Sequence, residues 1–62
     1  MDFARCLKIL GFELDDDSDK AEIARTWING TLDNDESWFD GRSDEFIRGA
    51  FHQWVEMVCH AD

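Results

Sequence analysis

From Ser43 to His60, apolar residues recur at Phe46, Ile47, Ala50, Phe51, Trp54, Val55, Val58 and Cys59. The spacing i, i+1, i+4, i+5 is held for more than three turns, and an α-helix puts such side chains on one face. With Met57 and Ala61 the apolar face takes about half the circumference. Glu45, Arg48, Gly49, His52, Gln53, Glu56 and His60 share the other half. A helix over 43–60 is roughly 27 Å long, longer than any other segment of a 62-residue chain offers to cover it. A face that wide therefore predicts self-association, most simply a homodimer using Phe46, Ile47, Phe51, Trp54, Val55 and Val58.

The rest of the chain is also helical in pattern. Proline is absent, and β-branched residues are scattered rather than alternating. Phe3, Cys6, Leu7, Ile9 and Leu10 share one arc, with Asp2 placed to cap the start and Gly11 to take the left-handed position after the end. A second helix begins at Ser18 or Asp19, where Asp19 and Glu22 have capping-box spacing. Its stripe is Ala21, Ile23, Ala24, Trp27 and Ile28, and Gly30 is the expected stop. Between Leu32 and Arg42 two readings stand. One is a short helical turn near 34–40, started by the Asp33–Glu36 spacing and ended by Gly41. The other is a loop anchored by Trp38 and Phe39. The expected fold is all-α: one domain over 1–62, with helices near 2–10, 19–29 and 43–60, a helical hairpin plus a long C-terminal helix.

Charge narrows the functions. Fifteen Asp and Glu against six Lys and Arg give a net charge of -9, the wrong sign for direct contact with nucleic acid. No apolar run is long enough to span a membrane, and the first residues lack a signal-peptide layout. With two isolated cysteines, a reducing cytoplasmic setting is expected. At 44% hydrophobic residues with eight aromatics, five Phe and three Trp, the chain is too apolar to be a disordered acidic tail.

Several constellations invite chemistry and fall short of it. Asp15, Asp17 and Asp19, and again Asp33, Asp35 and Ser37, have the odd-numbered spacing of a calcium loop. Lys20 and Trp38 stand where its glycine belongs, and Thr26 and Asp44 where its closing glutamate belongs. His52, Glu56 and His60 follow at i, i+4 and i+8, with Cys59 nearby, but the set lacks an evident fourth metal ligand. Cys6 and Cys59 lie in different helices, and a bridge between them needs a separation that sequence does not give. Cys59 and His60 point about 100° apart on a helix, so the histidine is badly placed to activate the thiol. Asn29-Gly30-Thr31 matches a glycosylation sequon and is read as a helix end. No enzyme, cofactor or metal is expected.

The expected function is binding to another protein. Asp15, Asp16, Asp17, Asp33, Asp35 and Glu36 form the recognition field of an inhibitor or regulator, in the manner of a DNA mimic, because a strong negative field steers a basic partner into place. Short acidic binding proteins of this composition occur among phage and mobile-element accessory genes. The competing expectation is a homodimeric adaptor that binds through an aromatic edge at Trp38 and Phe39, with incidental charge. A small metal-binding protein is the weakest reading.

Overall fold

The computed structural model of the chain describes residues 2–59, with Cys59 by its backbone alone. Three helices follow in order: α1 (Phe3–Ile9), α2 (Asp19–Asn34) and α3 (Asp44–Cys59), and the described residues contain no strand. Local chemistry sets the ends. The Arg5 N–H donates to Asp2 Oδ1 at 2.8 Å, so Asp2 caps α1 as expected. Gly11 takes φ +92° immediately beyond the Leu10 C-cap. At α2 the cap is Ser18, whose Oγ accepts from Ala21 N, while Asp19 and Glu22 sit in the first turn, where negative charge favours the dipole. The Phe46 N–H donates to Ser43 Oγ at 3.1 Å at the start of α3.

Packing overrides one stop signal. α2 runs through Gly30 to Asn34, because Leu32 lies four residues beyond Ile28 and packs against the same core. Gly30 is exposed and has nothing within 4 Å of an added Cβ, so its only penalty is propensity, about 1 kcal/mol. Extending the helix moves Asp33 into its last turn, and neither Asp33 nor Glu36 starts a helix. Beyond Asn34 the chain forms a compact loop of consecutive turns: Trp38 N donates to Asp35 O (3.1 Å) and Asp40 N to Ser37 O (3.0 Å). Gly41 closes it at φ +78°.

One core joins all three helices and this loop. Cys6, Leu7, Ile28, Phe39 and Ile47 are its fully buried large side chains, with Trp27 and Phe51 nearly so. Trp27 is the hub. Its ring meets Trp38 and Phe39 edge-on at 5.6 Å and lies 5.4 Å from Phe51, geometries that aromatic quadrupoles favour. α1 is only seven residues long and too short to stand alone. It is tied down by Leu7 and Cys6 and by Arg48 of α3, whose Nε donates to Ile9 O at 2.8 Å.

Candidate functional site

Apart from Asp33, which lies in the last turn of α2, the acidic residues of the expected recognition field occupy two connections, and both connections are held in place. In the first, Asp16 Oδ1 accepts from Ser18 N at 2.9 Å, and Arg25 from α2 donates through Nη2 to the carbonyls of Leu14 (3.3 Å) and Asp16. Asp15 and Asp17 are exposed on either side. The Ser18 N–H and then the Ser18 hydroxyl hold the Asp16 carboxyl below the usual aspartate range, outweighing the opposing effect of burial, and the Arg25 charge adds a smaller pull in the same downward direction. In the second, Asp35 Oδ1 accepts from both Ser37 N (3.1 Å) and Ser37 Oγ (2.9 Å). Within the connections, the carboxylates fixed by backbone contacts are thus Asp16 and Asp35, rather than the neighbouring Asp19 and Asp33 that capping spacing favours.

Four carboxylates surround one open depression of about 680 Å³. Asp2 comes from the start of α1, Asp33 from the end of α2, and Glu36 and Asp40 from the loop, over a floor that includes Phe3 and Leu32. None of the described residues lining it is basic. Asp33 and Glu36 of the expected recognition field therefore meet here, joined by Asp2 and Asp40. Sequence reading missed both, because their proximity depends on α1 docking beside the end of α2. Asp15, Asp16 and Asp17 belong to the separate first connection. A second groove, of about 260 Å³, is apolar, formed by Leu10, Phe12, Ile23, Phe51 and Val55 with Lys20 and His52. It is smaller than the ~300 Å³ at which small-molecule sites begin.

The aromatic edge has a different composition from the one expected. Phe39 is fully buried and presents nothing to a partner, because the turn chain points it under Trp27. Trp38 stays half-buried, with its ring 6.3 Å from that of Phe46, which is 56% exposed. The Arg42 guanidinium covers both, 4.5 Å from the Trp38 ring centroid and 5.7 Å from that of Phe46, while donating to Trp38 O. The exposed edge is Trp38–Arg42–Phe46.

The stripe expected to self-associate divides in the same way. Ile47 and Phe51 are core residues and are not available, because α1, α2 and the Phe39 loop already cover them. Trp54 and Val55 are half-buried, and Phe46, Met57 and Val58 remain outside. Among the described residues no group of His, Cys, Asp or Glu could hold a metal. Asp19 and Asp33 lie within α2, so neither calcium-like run is a loop. The His60 and Cys59 side chains, and with them the histidine ladder and any Cys6 bridge, lie outside the described residues. Cys6 is buried, and loss of solvent pushes its thiol up. No helix among the described residues is long and apolar enough to cross a membrane. No family model matches the chain, and no curated protein or solved structure matches it.

Proposed function

We propose that the protein works by binding another protein with a basic surface, inhibiting or regulating it by occupying that surface. The observation that carries this reading is the held charge of the first connection. Arg25 fixes the backbone of Leu14 and Asp16, and Ser18 fixes the Asp16 carboxylate. The backbone that carries Asp15, Asp16 and Asp17 is therefore held, with the Asp16 carboxylate fixed on it, and a preordered surface loses less entropy on docking than a flexible one. The depression lined by Asp2, Asp33, Glu36 and Asp40 adds a second negative surface. In the DNA-mimic form of this reading, such carboxylates occupy places where a nucleic-acid-binding partner expects phosphates.

Changing Asp15, Asp16 and Asp17 together to Asn tests it, because Asn keeps the side-chain oxygen that Ser18 N–H needs. Partner capture from lysate of the source cells, at low and at high salt, should give a complex that weakens with salt and is lost in the triple variant. A DNA-mimic partner should additionally be displaced by duplex DNA. Capture that is unchanged in the folded triple variant, and in a second variant with Asp33, Asp35 and Glu36 as amides, overturns the reading. The alternative, an adaptor that docks through an apolar edge, is favoured by the exposed Trp38–Arg42–Phe46 cluster. It predicts capture that is indifferent to salt and lost in Phe46→Ser.

A further inference from the structure

We propose that the protein binds a small monocarboxylate with an apolar body in the groove formed by the end of α1, the first half of α2 and the middle of α3. The walls are Leu10, Phe12, Ile23, Phe51 and Val55, and the polar members are Lys20 and His52. This groove is separate from the acidic surfaces that carry the proposed function, and it stands or falls independently of them.

Charge selects the head of the ligand. The chain has fifteen Asp and Glu, yet none of the described residues lining this groove is acidic. The depression at Asp2, Asp33, Glu36 and Asp40 is its converse, with carboxylates and no base. Of the six Lys and Arg, Arg25, Arg42 and Arg48 are committed to backbone carbonyls. Lys20 is exposed, and among the described residues no hydrogen bond or ion pair engages its ammonium. An ammonium and an imidazole N–H beside an apolar groove complement a carboxylate whose hydrocarbon enters the groove. A net charge of -9 favours a single negative charge over a dianion such as a phosphate monoester.

The walls select the body. Leu10, Phe12, Ile23 and Val55 are half-buried, and Phe51 belongs to the core behind them. They come from α1's C-cap, the first connection, α2 and α3, so the feature is a cleft between elements and not the face of one helix. The Lys20 stem adds methylenes to that wall while its ammonium stays at the water edge. A volume of about 260 Å³ holds roughly eight groups of about 30 Å³, the share of one water. A straight chain of about eight carbons meets that limit, and a drug-sized ligand exceeds it.

Octanoate and octanamide, equal in length and different in charge, are the probes. Titrated into the isotope-labelled intact chain, octanoate should shift amide signals around 10–12, 20–23 and 51–55, with a dissociation constant below about 1 mM. Octanamide should move the same signals and bind about fivefold more weakly, the worth of one exposed ion pair. Lys20→Met keeps the stem and removes the charge, so it should weaken octanoate about fivefold and leave octanamide unchanged. Val55→Trp fills the groove and should weaken both by about tenfold or more. Octanoate that shifts none of these signals up to about 10 mM overturns the inference. So does octanamide that binds as tightly as octanoate, or Lys20→Met that leaves octanoate binding unaltered. These comparisons need only the wild type and one exposed substitution, so they decide the matter even where Val55→Trp fails to fold.

Discussion

The two connections, 10–18 and 35–43, use the same local devices and differ in what anchors them. Each contains a glycine in the left-handed region, Gly11 or Gly41. Each has an aspartate that accepts from the N–H two residues on, Asp16 from Ser18 and Asp35 from Ser37. Each has an arginine donating to a loop carbonyl, Arg25 to Asp16 O and Arg42 to Trp38 O. Only the second sends a large side chain to the centre of the molecule, the fully buried Phe39. The first exposes its Leu14, rests the half-buried Leu10 and Phe12 on the edge of the core, and is held beyond them by Arg25 reaching over from α2. Equivalent turn chemistry thus supports one connection that is part of the core and one that is an attachment to it.

Phe39→Ala should separate them most sharply. Removing a buried phenylalanine costs about 3–5 kcal/mol, comparable with the whole stability of a chain this size. Thermal melting by circular dichroism should show a largely unfolded protein at 37 °C. Arg25→Ala should cost about 1.5 kcal/mol. Its effect should be local: amide exchange should quicken around 14–18 while the Phe39 loop stays protected, and uniform quickening would contradict the division. Gly41→Ala and Gly11→Ala each force a positive φ on a residue with a Cβ, at about 1 kcal/mol. Neither Cβ meets a neighbour, so the two costs, read from denaturant midpoints, should match. The smallest effect is that of acid. The folded Asp16 carboxyl lies below its ordinary 3.8, so its contribution is complete above that value and lost as pH falls through the folded one. Nuclear magnetic resonance below about pH 4 should show shifts around Asp16–Ser18 before the core melts.

The same contrast explains what the sequence discloses. Helices whose apolar residues repeat at 3.6 were legible, as were the Asp2 cap, the turn at Gly11 and the bipartite wheel of α3. Phe39 was not, since a loop has no period from which to infer which way a side chain turns. The end of α2 was hidden because Gly30 reads as a stop unless the packing of Leu32 is known. Of the recognition field, the rigidity of Asp16 depends on Arg25, nine residues away. The depression that gathers Asp2 with Asp33 needs tertiary docking. Short-range chemistry was readable, and its long-range partners were not.

Arg48 joins residues 39 apart in sequence when it donates to Ile9 O. Most other bonds in the molecule close within a few residues, so helices and turns can form early and fast. α1, at seven residues, is too short to persist until it docks against both α2 and α3, the latter supplying that donor. The N-terminal segment is therefore expected to form late in folding, which amide exchange pulsed during refolding would show as late protection of 3–9. α1 thus waits for partners that lie later in the chain than itself, and the bond that ties it down closes only after the helix carrying Arg48 has formed.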